Sequence, residues 1–121
     1  MIHLMKDFPD NVLGITAEGK VTGTDYETVL IPAIEDKLKR NKKISILYHI
    51  GANFSGFELS AMLDDAKTGM TNLFAWYKCA LVSDNHLINA SVKFFGHIIP
   101  CEVRVFKNSE LEEAKKWIIE N

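Results

Sequence analysis

The chain has 121 residues, of which 47% are hydrophobic and 25% charged, and its formal net charge is −2. This length and balance predict a single domain that buries a real hydrophobic core. They disfavour a nucleic-acid-binding protein, which needs a clustered cationic surface, because the one basic run, at residues 37–43, is also typical of a solvated helix end. No apolar stretch approaches the roughly 20 residues that cross a bilayer, so we expect no membrane span.

Strand-like segments recur along the chain. Residues 1–5 and the alternating residues 12–20 predict an N-terminal hairpin. Three later apolar runs predict buried parallel strands in the interior of one sheet, at residues 44–50, 79–84 and 102–106.

Four helical segments alternate with these strands, at residues 24–41, 56–69, 85–98 and 109–120. The predicted caps are Thr24 with Glu27 for the first helix, Asp84 or Asn85 for the third, and Ser109 with Glu112 for the fourth. Pro32 lies inside the first helix and removes a backbone donor, so we expect a kink or break at residues 28–31. The alternation predicts a single α/β domain over residues 1–121, with a mostly parallel sheet and right-handed crossovers.

Ser55 and Gly56 lie between the apolar run at residues 44–50 and the body of the second predicted helix. A serine at such a turn can cap the helix, accept a phosphate or act as a nucleophile. The nucleophile is the weakest interpretation, because Asn53 stands where the serine-hydrolase elbow has glycine and the sequence places no histidine to act as its base.

An aromatic cluster precedes the predicted strand at residues 79–84 and consists of Phe74, Trp76 and Tyr77. Core packing beneath that strand is the favoured interpretation. The alternative is an exposed surface for a protein partner or an apolar ligand. If part of the cluster is exposed, a symmetric dimer is the simplest way to cover it.

Neither a cofactor nor a metal is predicted. The chain lacks the glycine-rich nucleotide motifs, and its histidines are scattered without metal-ligand spacing. Lys6 and Asp7 are unlike a signal peptide, so we expect a cytoplasmic protein. Cys79 and Cys101 are not in a CxxC arrangement, and we expect both to stay reduced as small hydrophobic residues.

Several short motifs follow one another in a recognisable order along nearly the whole chain. They are Asp25-Tyr26 with Pro32, Phe54-x-Gly56, Ala80-x-Val82-x-Asp84, the segment at residues 100–106, and Ala114-x-x-Trp117. In this order they resemble the SpoIIAA-like family of small bacterial proteins, within the broader STAS group (sulfate transporter and anti-sigma-factor antagonist domains). The resemblance implies an α/β domain whose strands and helices form a right-handed superhelix, similar to Sec14-type lipid-carrier domains, and no enzymatic activity.

The resemblance also carries expectations about Ser55. In anti-sigma-factor antagonists the corresponding turn reads Asp-Ser-Ser-Gly, and a partner kinase phosphorylates its second serine. Ser55 and Gly56 fit the acceptor pair, whereas Asn53 and Phe54 depart from the residues before it, so a helix cap is favoured over a phosphate switch. The resulting hypothesis is a non-enzymatic regulatory or protein-interaction module that forms a dimer. The alternative is a carrier or sensor of a small apolar or lipid-like ligand.

Overall fold

The computed structural model describes residues 1–58, 75–96 and 101–120 of the chain. Five strands in these residues form one sheet in the order β1-β2-β3-β4-β5. Their bounds are β1 Ile2–Leu4, β2 Val12–Val21, β3 Ile44–Phe57, β4 Trp76–Val82 and β5 Glu102–Phe106. β1 and β2 pair antiparallel and every later pair is parallel, so the predicted hairpin and the mostly parallel sheet are confirmed.

The helices of the described residues alternate with these strands. Their bounds are α1 Gly23–Asp25, α2 Ile31–Leu38, α3 His86–Gly96 and α4 Leu111–Ile119. One π-helical turn, Tyr26–Leu30, joins α1 to α2, and one 3₁₀ turn, Asn108–Glu110, precedes α4. The second predicted helix lies outside the described residues from position 59 onward. Its predicted start was wrong, because Gly56 and Phe57 belong to β3.

The irregularity predicted before Pro32 is confirmed as the π-helical turn. The Ile31 N–H donates to the carbonyl oxygen of Tyr26, five residues earlier, and Pro32 then occupies the first turn of α2. Proline is tolerated in a first turn, because it has no N–H to donate and its fixed φ suits a helix start. The wider turn therefore lets the chain pass Pro32 without ending the helix.

The first predicted capping box was displaced by two residues. The backbone N–H of Thr22 donates to the Asp25 carboxylate at 2.8 Å, and the Asp25 N–H donates to the Thr22 hydroxyl at 3.1 Å. The pair predicted at Thr24 and Glu27 was wrong, since the helical turns already begin at Gly23, directly after Thr22. Both pairs have the spacing of a capping box, and only the position of the strand end decides between them.

The other two caps had mixed outcomes. The side-chain oxygen of Asn85 accepts from the Ile88 N–H at 3.1 Å, which confirms Asn85 as the cap of α3. Before α4, the Lys107 N–H donates to the Glu110 carboxylate at 2.8 Å. The box predicted at residues 109–112 was wrong, because the 3₁₀ turn opens the helical segment two residues earlier than the apolar pattern indicated.

The position expected for β5 was also wrong in part. β3 and β4 lie in the interior of the sheet, but among the described residues β5 pairs only with β4 and forms an edge. Its exposed Glu102 and Arg104 alternate with the half-buried Val103 and Val105. This alternation is typical of an edge strand, whereas a strand covered on both faces is apolar at nearly every position.

Each face of the sheet carries its own hydrophobic cluster. The first face packs against the segment Tyr26–Leu38 and α3, with a core that includes Ile15, Tyr26, Leu30, Ile34, Ile44 and Ile50. The second face packs against α4, with a core that includes Val12, Leu47, Val82, Ala114, Trp117 and Ile118. The sheet is therefore a central layer between two helical layers.

Candidate functional site

β3 continues past the last residue at which it pairs with β4. That last pair joins His49 to Val82, whereas pairing with β2 continues to Phe57. From the Ala17–Ile50 pair to the Val21–Phe57 pair, β2 advances by four residues and β3 by seven, so β3 holds three extra residues. Bulges of this kind redirect side chains and are frequent beside functional sites. We call residues 17–21 and 50–57 the bulged ribbon.

Ser55 lies on the bulged ribbon, and its side chain is exposed. The register pairs Phe54 with Gly19 and Gly56 with Lys20, so Ser55 is an extra residue between two paired ones. The expected role of Ser55 as a helix cap was wrong, because the strand extends beyond it and the Glu58 N–H still donates to the carbonyl of Val21 at 2.8 Å. Gly56 has φ of +138°, a conformation that favours glycine and shapes the strand at this point.

Two phenylalanines anchor the bulged ribbon to the first core. The rings of Phe54 and Phe57 meet edge to face with their centroids 5.0 Å apart, and both pack against that cluster. In a regular strand, residues three apart point to opposite faces. The extra residue, Ser55, brings both rings to the same side and leaves its own hydroxyl in solvent.

The predicted aromatic cluster does not form one surface. Trp76 is 9% exposed and belongs to the first core, whereas Tyr77 is 45% exposed. Phe74 lies outside the described residues. Core packing is therefore observed for Trp76. Tyr77 has an exposed ring and remains a candidate contact for a protein partner or an apolar ligand.

Two large apolar side chains on α3 are exposed, and the sequence analysis missed them. Leu87 is 79% exposed and Phe94 is 65% exposed. They are seven residues apart and so share one side of the helix, while Ile88 and Val92 pack toward the first core. In the sequence, Leu87 and Phe94 lie outside the apolar stripe that this helix buries, and that position was the signal that could have revealed them. We call Leu87 and Phe94 the α3 patch.

His49 lies where β3 leaves β4, on the second face of the sheet. Its Nδ1 is 3.3 Å from the hydroxyl of Thr16 on β2. Burial lowers the pKa of His49, the positive charge of Lys115 lowers it further, and Glu18 acts in the opposite direction. The hydrogen bonds of the described residues include none between a histidine and Ser55, so the hydrolase interpretation gains no support.

Two depressions lie beside the N-terminal segment. The larger, of about 320 Å³, lies against α2 and is lined in part by Asp36 and Lys37. The smaller, of about 200 Å³, lies against α4 and is lined in part by Lys6, Lys115 and Lys116. Both are open and carry charged side chains, so neither is the enclosed apolar chamber that a lipid carrier needs.

Neither a metal-binding cluster nor a membrane-spanning helix is present among the described residues. No three histidine, cysteine or acidic side chains there gather in a group that could hold a metal ion. In the same part of the chain, no helix is long and apolar enough to cross a membrane.

The fold is that of a small α/β domain with a mostly parallel five-stranded sheet. The family profile described as SpoIIAA-like matches residues 12–119, so the chain belongs to the SpoIIAA-like family. A similar solved structure is that of an uncharacterised protein of the DUF3478 family, with a SpoIIAA-like fold, from Shewanella loihica PV-4. It is 24% identical with a TM-score of 0.77, over 98% of this chain and 92% of that one, which shows the shared fold. No curated protein matches the sequence significantly.

Proposed function

We propose that this protein is a non-enzymatic protein-interaction module of a regulatory kind, and that it self-associates through the α3 patch. The observation that carries the proposal is the exposure of Leu87 and Phe94 on one side of α3. Large apolar side chains grouped in solvent mark interaction surfaces, and their burial is the main favourable term in association. Membership of the SpoIIAA-like family supports the same class of function.

The spacing of the α3 patch suits a two-fold symmetric dimer. When two copies of one helix pack antiparallel, the residue at one end meets the residue at the other end of the partner. Leu87 of one copy would then contact Phe94 of the second, and the reverse. Ala90 and Ser91 lie exposed between them and are small, so the two helices can approach closely.

Replacing Phe94 with glutamate should weaken the dimer by about 100-fold or more, since the symmetric dimer loses two such side chains and burying each contributes about 1.5–3 kcal/mol. Sedimentation equilibrium of wild type and variant measures the dissociation constant. The matched control is Ile119→Glu, at a position on α4 that is 47% exposed, and it should dimerise as wild type does. A wild-type protein that stays monomeric, or a Phe94→Glu variant that dimerises as wild type does, would contradict the proposal.

We further propose that Ser55 accepts a regulatory phosphate. Its hydroxyl is exposed on the bulged ribbon, where a kinase can reach it, and Ser55-Gly56 retains the acceptor pair of the related antagonists. Asn53 and Phe54 differ from that motif, so the kinase would have to recognise different residues beside the acceptor serine.

Intact-mass analysis of protein from its native cells should show one phosphate, which Ser55→Ala removes. Ser55→Asp should change the free energy of unfolding by about 0.5 kcal/mol or less, because the site is exposed. Protein that carries no phosphate in those cells, or carries it on another serine, would refute this role.

A carrier of a small apolar or lipid-like ligand is the alternative function. Tyr77 offers an exposed ring to such a ligand, but the two charged depressions do not enclose one. Native mass spectrometry would favour the carrier if a lipid-like mass co-purified with the chain. A cytoplasmic location and the lack of a nucleic-acid partner remain predictions from composition and charge.

A further inference from the structure

The sheet brings the two cysteines of the chain into contact. Cys79 lies in the middle of β4, and Cys101 directly precedes β5. Their sulfur atoms are 3.6 Å apart, and both thiols are free. The parallel register explains this contact, because Lys78 pairs with Glu102 and places the start of β5 beside the first half of β4.

The two thiols differ in acidity. The two sulfurs share a hydrogen bond in which either thiol can be the donor. This hydrogen bond lowers the pKa of Cys101, and the ammonium of Lys43 lowers it further, while burial opposes both effects. The same hydrogen bond raises the pKa of Cys79, and burial raises it again. Cys101 is therefore the sulfur that carries negative charge more readily, and a thiolate is the reactive form of cysteine.

We propose that Cys79 and Cys101 form a reversible redox pair that a hydroperoxide oxidises to an intramolecular disulfide. In the first step the Cys101 thiolate attacks one peroxide oxygen, the O–O bond breaks and the sulfur becomes a sulfenic acid, while the departing hydroxide or alkoxide takes a proton from solvent and leaves as water or alcohol. In the second step Cys79 gives up its proton and attacks that sulfur, so that the S–S bond forms and the S–O bond breaks, releasing water. Two electrons pass from the two sulfurs to the two peroxide oxygens.

The geometry requires only a small movement. A disulfide bond is about 2 Å long, so the sulfurs must approach by about 1.5 Å from their present separation. Both side chains are half-buried. The two thiols are therefore not enclosed in the core, and they are not exposed on all sides to a second molecule. The cross-link would tie β4 to the start of β5 across the connection that contains α3. This site is independent of the function proposed above.

The test treats the reduced protein with hydrogen peroxide and then alkylates the remaining free thiols. Intact mass should show the loss of two hydrogen atoms and no alkylation, peptide mapping should show a Cys79–Cys101 bond, and dithiothreitol should restore two alkylatable thiols. Cys79→Ser should stop at a sulfenic acid on Cys101, which dimedone traps. Cys101→Ser should leave the thiol of Cys79 intact under the same treatment.

Several outcomes would overturn the proposal. Wild type that keeps two alkylatable thiols in peroxide would show that the pair is inert. A disulfide between two chains would show that the contact within one chain is not the reactive one. Equal dimedone labelling of both serine variants would show that either thiol can react with the peroxide first, contrary to the proposed order. Circular dichroism of each variant, matched to wild type, confirms that these results come from folded protein.

Discussion

Trp117→Ala should lower the free energy of unfolding by about 4 kcal/mol, the largest loss that we expect from a single substitution. Trp117 is 8% exposed and joins α4 to the second face of the sheet, where its ring lies 5.9 Å from that of Phe106. Removing the indole leaves a cavity that the rigid sheet cannot fill. Since small domains have about 5–15 kcal/mol of stability in total, the variant should be close to unfolding.

Contacts of the ring with two cations account for part of this loss. The ammonium of Lys78 lies 4.9 Å from the centre of the Trp117 ring, and the guanidinium of Arg104 lies 5.2 Å from it. Lys78 is buried and also donates to the carbonyl oxygens of Trp117 and Glu120, at 3.0 and 2.8 Å, which satisfies the C-terminal end of α4. Without the ring, these positive charges lose a favourable cation–π contact, worth about 0.5–2 kcal/mol each.

Urea titration monitored by circular dichroism measures the effect of Trp117→Ala. Ile119→Ala is the matched control, because it removes an apolar side chain from the same helix at a position that is 47% exposed, and it should cost about 1 kcal/mol or less. If Trp117→Ala costs no more than this control, α4 is held to the sheet by something other than the indole ring.

The sequence predicted those parts of the fold that depend on periodicity. The hairpin of β1 and β2, the parallel strands and α3 with its Asn85 cap follow from alternating or helical apolar patterns. The caps before α1 and α4 were displaced, because several residue pairs with capping chemistry lie close together and only tertiary packing selects one. The valines of β5 favour an interior strand, whereas the exposed Glu102 and Arg104 are the residues that mark it as an edge.

The candidate sites were harder to predict, because each depends on a register between strands. A bulge at Ser55 has no local sequence signal beyond Gly56, and the same residues also fit a helix start. The contact of Cys79 with Cys101 joins residues 22 positions apart through the β4–β5 pairing. No spacing rule for cysteines covers such a pair, so only the three-dimensional arrangement could show it.

The oxidised protein should be more stable than the reduced one by about 3 kcal/mol, which is the second large effect that we expect. The disulfide would close a loop between positions that are 22 residues apart, and a cross-link of that span restricts the unfolded chain. The entropy of loop closure accounts for about 3 kcal/mol at this length, reduced by any strain that the bond introduces in the native state.

Urea titrations of the peroxide-treated and dithiothreitol-treated protein measure this difference. The Cys101→Ser variant is the control, and its midpoint should be the same under both treatments, because it cannot form the bond and its Cys79 thiol stays intact in peroxide. A disulfide that forms but lowers the midpoint would show that closing the sulfur separation distorts the β4–β5 pairing. In that case the bond would be strained and easily reduced, since strain in the native state favours the dithiol form.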